Sequence, residues 1–210
     1  MLNLLFLILT SFAKEPIKIA VIDSGFKLEY INKIPLCNVN YYDKTMHDTI
    51  GHGTNITGLI QKHAGPSGYC FIIIKALPAT IDVSNLAISL ATALKVDIIN
   101  YSGGSKEFNL KEQTIIKKYI KQGGIFVAAA GNESTRLSNL YCNFYPACSV
   151  PEIEVIGNLH GEKTNFGPKV DFMIDGNNKE AYGITMTGSS QAAAIYTGML
   201  VKYWIKHGGK

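Results

Sequence analysis

The sequence predicts an α/β domain: a three-layer, doubly wound, mostly parallel sheet with helices on both faces. Three observations carry this. Near-continuous apolar runs recur along the chain, as strands buried on both faces require. Segments with apolar residues at helical spacing stand between them. No repeat, low-complexity stretch or linker interrupts the alternation, so residues 14–210 read as one domain.

In chain order, IKIAVID (Ile17 to Asp23) is a buried strand that closes on an acid, and a helix follows from Gly51-His52 with Ile56, Leu59 and Ile60 on one face. CFIIIKAL is the second strand. Ser84 then caps a helix carrying Leu86, Leu90, Ala93 and Leu94. DIINYS is the third strand, before a helix with Ile115, Ile116, Tyr119 and Ile120 that stops at Gly123-Gly124. IFVAAAG is the fourth strand and EIEVIG a shorter one. A long helix runs from about Ser190 to Ile205.

A hydrophobic content of 47% with 17% charged residues excludes a disordered chain. The net charge of +4 is mild, and Lys117, Lys118 and Lys121, beside Ile116 and Ile120, read as the solvated face of a helix. With no basic stripe interleaved with aromatics, nucleic acid is not an expected partner. The opening MLNLLFLILTSFA reads as a signal peptide over residues 1–13: the run is too short for a comfortable span, and Ser11 and Ala13 fit a cleavage site. A buried first strand is the competing reading. The expected location is secreted or periplasmic, without a stable membrane anchor. Cys37, Cys70, Cys142 and Cys148 lack zinc-cluster spacing. They allow three pairings in an oxidising compartment, with Cys142–Cys148 the local one and Cys37–Cys70 the remainder. Four reduced, buried thiols are the alternative.

Of three short motifs, two mark strand ends, where open parallel sheets gather functional groups, and one opens a helix. Asp23 in VIDSGF is an acid partly buried beside Ser24-Gly25; alone, it fits a turn cap as well as a reactive acid. His52 in GHGTNITGLI lies between glycines that admit a close neighbour, at a helix start that disfavours the imidazolium. Asn132 in AAAGNES offers an amide donor to a cleft, although Asn beside Gly is also ordinary turn chemistry.

Taken together, these motifs resemble the subtilases, the subtilisin-like serine peptidases, in matching order from about Ile17 to Trp204. IKAL, IINYSGG, YPA and TNFGPKVDFMIDG resemble further family segments. GSSQA resembles the family's Gly-Thr-Ser-Met-Ala motif, which places the nucleophile at Ser190 and makes Ser189 a supporting cap. Ser190 also has the more open flanks, with Gly188 and Ala192 two positions away.

The resemblance implies an endopeptidase in which Asp23, His52 and Ser190 form a triad and Asn132, with the Ser190 N–H, forms the oxyanion hole. No cofactor is expected; no loop has clear calcium-ligand spacing, so no metal is assigned and calcium dependence stays open. The partner would be a peptide or protein substrate added as a strand along Ser102, Gly103 and Gly104. The primary pocket would lie between that segment and Ala129, Ala130 and Gly131, whose small residues leave room for a large side chain. Glu133 would favour a basic or Tyr-like one. Ala194 replaces a usual proline, and Gln191 a methionine, putting a polar group near the leaving side. A folding pro-region is expected in secreted relatives, yet only Lys14 to Pro16 separate the expected cleavage from IKIAVID. A non-cutting peptide-binding protein and a peptide ligase or cyclase are the alternatives.

Overall fold

The structure, a computed structural model, describes residues 15–38, 44–78, 80–138 and 140–208; the expected signal peptide lies outside them. Six parallel strands form one sheet in the order β2-β1-β3-β4-β5-β6. They are β1 (Ile17–Asp23), β2 (Tyr69–Lys75), β3 (Ile98–Tyr101), β4 (Ile125–Ala129), β5 (Glu154–Asn158) and β6 (Phe172–Ile174). Helices α1 (His52–Ala64) and α4 (Ser189–His207) pack together on one face, while α2 (Ile81–Ala93) and α3 (Leu110–Lys121) pack together on the other. A hairpin of β7 (Lys179–Ala181) and β8 (Ile184–Met186) lies against α1.

The apolar runs divide by strand period between two cores. Ile19, Val21, Ile73, Ile98 and Val127 face α1 and α4. Ala20, Ile22, Ile72, Ile99 and Phe126 face α2 and α3. Because both faces are covered, alternation in polarity is absent and the strands read as continuous hydrophobic segments.

Two helix boundaries differ from the sequence reading. The cap of α2 is Thr80, whose hydroxyl accepts from the Val83 N–H. Ser84 lies inside α2, its hydroxyl turned to Tyr101 and Glu112 across the interface with α3. The long last helix begins at Ser189 and continues to His207. Both disulfides form, Cys37–Cys70 and Cys142–Cys148, so no free thiol stands among the described residues.

The strand order locates the site. From β1 the chain crosses to β2 on one side and returns to β3 on the other, so a crevice opens at the carboxyl end of β1. Asp23 ends β1, Ser102 follows β3, and Ala130-Gly131 follow β4.

Candidate active site

Asp23 is fully buried, and its Oδ1 lies 2.7 Å from His52 Nδ1. The same oxygen accepts from the Ser24 N–H. His52 opens α1, and the close approach depends on Gly53: a Cβ there would run into the Gly25 carbonyl oxygen and stand 3.2 Å from the Asp23 Cβ. The unpaired N–H groups of this helix start find side chains. Gly53 donates to Ser24 Oγ at 2.8 Å and Thr54 to Asp48 Oδ2 at 2.9 Å. Asp48 also accepts from the Thr54 and Ser24 hydroxyls and from the Ile50 and Gly51 N–H groups. Burial is the largest single influence on Asp48 and raises its pKa, but these hydrogen bonds together hold it below the ordinary carboxylate value.

The His52 ring answers to the same two acids. Burial is again the largest single influence and pulls its pKa down. The hydrogen bond and charge of Asp23, with the charge of Asp48, outweigh it, so the pKa stands above the ordinary histidine value.

Ser190 lies in the first turn of α4 and is buried. Its hydroxyl donates to the Ser102 carbonyl at 3.2 Å. Asn55, one turn into α1, accepts from the Gln191 side chain at 3.1 Å, so the N-terminal turns of α1 and α4 stand side by side. Gln191 is thus a buried tie between helices, not a polar group on the leaving side as the sequence suggested. Ser189 forms a reciprocal clamp with the Asn132 loop. Its N–H donates to Asn132 Oδ1 at 3.0 Å, and its hydroxyl accepts from the Gly131 N–H at 3.1 Å. Since that N–H can only donate, the end of the Asn132 amide facing it is the oxygen, and Nδ2 is turned the other way.

Gly103 and Gly104 continue past the last β3–β4 pair, Tyr101 with Ala128. Ala129 and Ala130 are buried, and the Ala130 carbonyl accepts from Asn165. Asn165 also donates to Glu133 Oε2 at 2.6 Å, which ties that carboxylate back toward Gly131. Phe144 reaches both small-residue segments. The end of its ring meets the position a Cβ would take on Gly104 and lies 2.8 Å from the one on Gly131, so the two glycines accommodate a ring brought from a distant loop.

The model of the subtilase family matches residues 14–208. The chain belongs to the subtilase family. It is a subtilisin-like serine protease by that membership, and two relatives agree. The major intracellular serine protease of Bacillus subtilis (strain 168) is 26% identical over 215 residues, covering 88% of this chain and 67% of the relative. The minor extracellular protease Epr of the same organism is 28% identical over 194 residues, covering 84% of this chain and 30% of Epr. Among solved structures, the nisin leader peptidase NisP from Lactococcus lactis shares the fold with a TM-score of 0.75 at 18% identity, covering 92% of this chain and 79% of NisP. No helix among the described residues is long and apolar enough to cross a membrane.

In this subtilase two site residues escape sequence reasoning. Asp48 organises the start of α1 and faces His52 electrostatically; its only local sign is an acid four positions before the histidine in DTIGH. Phe144 leaves no sign of its role at all, because only the fold brings it between Gly104 and Gly131.

Proposed function

We propose that this subtilase is a secreted endopeptidase working through Asp23, His52 and Ser190. The 2.7 Å contact between His52 Nδ1 and the buried Asp23 carboxylate carries the reading, because it fixes the ring's tautomer and leaves Nε2 to act as base. Rotation of the Ser190 hydroxyl away from the Ser102 carbonyl would bring its proton to Nε2 as the oxygen attacks a peptide carbonyl. Asn132 Nδ2 and the Ser190 N–H, which has no intrahelical acceptor in the first turn, would hold the oxyanion. His52 would then protonate the leaving amine, and water would release the acyl group by the same path in reverse.

The substrate would add a strand along Ser102 to Gly104. In support, Gly103 and Gly104 carry no backbone hydrogen bond among the described residues. The two disulfides support an oxidising compartment. The deciding experiment is labelling with a fluorophosphonate and mapping of the labelled peptide, with His52→Ala as control. Label on Ser190 that disappears in the control is expected. Folded wild-type protein that takes no label would favour the non-cutting reading, and product masses separate hydrolysis from ligation.

Phe144 leads to an expectation about the residue before the scissile bond. Small residues such as Ala or Gly are accepted there, and Phe144→Ala raises kcat/KM for substrates with Leu or Phe by at least about tenfold. Comparison of Ala-, Leu- and Phe-ending chromogenic peptides on both proteins measures this. A wild type that prefers Phe would contradict it.

A further inference from the structure

The loop that carries Phe144 is closed by a disulfide between Cys142 and Cys148, six positions apart. The Phe144 ring lies against Gly104 on one side and Gly131 on the other. The next residue, Tyr145, exchanges two backbone hydrogen bonds with Ser105, at 2.8 and 2.9 Å. The loop is therefore joined to the end of the segment along which substrate would add, and its ring touches the glycine before Asn132.

The two halves of the loop are held unequally. After Phe144 the chain is fixed to the body of the fold: Ala147 and Val150 are buried, and the Gln113 side chain donates to the Ser149 carbonyl at 2.6 Å. The Cys148 N–H returns to the Phe144 carbonyl and the Ser149 N–H to that of Pro146, both at 2.8 Å. Before Phe144, by contrast, Leu140, Tyr141 and Asn143 are exposed. Among the described residues, 140–143 hydrogen-bond only to Ser138 and to the Tyr145 hydroxyl. The covalent bridge is the tie that draws this arm onto the fixed half, and it acts by removing conformations open to a free chain.

The two disulfides also differ in access. Cys37 and Cys70 are each 6% exposed, whereas Cys142 and Cys148 are partly exposed and flank the exposed Asn143. Exchange requires a thiolate to reach a sulfur, so the outer bridge opens first. A dithiol supplies two electrons and two protons: the Cys142–Cys148 bond breaks, both residues become thiols, and the dithiol becomes a disulfide.

We propose that the Cys142–Cys148 bridge is a redox-controlled determinant of the side chain accepted before the scissile bond. Closed, it holds the Phe144 ring against Gly104 and Gly131 and favours small side chains. Opened by a dithiol, it releases the ring and admits large ones. The proposal rests on the peptidase and strand-addition reading above.

The test treats folded wild-type protein with dithiothreitol until alkylation and mass mapping find thiols at Cys142 and Cys148 but none at Cys37 and Cys70. Cleavage of Ala- and Phe-ending chromogenic peptides is then compared with that by oxidised protein. The Phe-to-Ala ratio of kcat/KM is expected to rise about fivefold and to fall back on reoxidation. Protein carrying both Cys142→Ser and Cys148→Ser should show the high ratio with or without dithiol, and in Phe144→Ala the dithiol should leave the ratio unchanged. An unchanged ratio in reduced wild type, an equal rise in Phe144→Ala, or earlier opening of Cys37–Cys70 overturns the proposal. A second readout needs no substrate. Amide hydrogen exchange over residues 102–105 and 128–132 should quicken on reduction of wild type and not respond to dithiol in the double serine variant. That response, in protein that no fluorophosphonate labels at Ser190, would uphold the coupling of bridge to cleft and refute the peptidase mechanism. Labelled, active protein whose exchange ignores reduction refutes the coupling alone.

Discussion

Ser190→Ala is expected to lower kcat for peptide hydrolysis by about 10⁶-fold, the scale such a loss has in a member of this family. The change removes one hydroxyl with one hydrogen bond, 3.2 Å to the Ser102 carbonyl. Stability should therefore move by only about 1 kcal/mol. Peptide affinity should be nearly unchanged, since binding depends on backbone pairing and distant side chains. A residual rate of about 10³ over water is expected from Asn132 and the helix start. Rates on one peptide, with circular dichroism to establish folding, measure all of this. Near-normal cleavage by Ser190→Ala alongside an inactive Ser189→Ala would move the nucleophile to the neighbouring residue. The clamp between Ser189 and the Asn132 loop argues for a positioning role there instead.

Asp23→Asn should lower kcat by about 10⁴-fold and also move the pH profile. Activity needs a neutral His52, so kcat/KM rises with pH through the His52 pKa, which lies above the ordinary value of about 6.5. In the variant the hydrogen bond and charge of Asp23 no longer support the imidazolium, while burial still opposes it, so the midpoint shifts downward. The stability effect has the opposite sense along the pH axis. A histidine whose folded pKa is raised contributes stability that is complete below the unfolded value and fades as pH rises through the folded one. Asp23→Asn is accordingly more destabilising at pH 5 than at pH 9 in this respect. Denaturant unfolding at both values, with a pH–rate profile for each protein, checks the two signs. A profile midpoint that does not move would remove Asp23 as the partner of His52.

The parts of the fold visible in the sequence were those whose information is local. IKIAVID and IFVAAAG are buried on both faces, and such strands announce themselves by composition alone. The three-residue strands β6, β7 and β8 are partly exposed and too short to show a period. Ser84 resembles a cap because serine often is one, yet its hydroxyl is used in a contact with α3 that local spacing does not encode. The same division runs through the site. Asp23, His52, Asn132 and Ser190 stand in short glycine-rich motifs, whereas Phe144 and Glu112 acquire their settings from segments far away in the chain; Asp48 bonds mostly to its own neighbours Ile50, Gly51 and Thr54, in a pattern that no residue type announces. Glycines at 104 and 131 suggested emptiness; they proved to be where a ring is admitted.

The position of Ser190 on the last helix and Asp23 on the first strand has a consequence for biosynthesis. On the proposed mechanism the acid and the histidine emerge early during translation, and the attacking serine joins them only once α4 has left the ribosome and docked against α1. A nascent or truncated product ending before α4 would then be inert toward its surroundings. Proteolytic power would arrive only with completion of the core, making quality control and activation the same event.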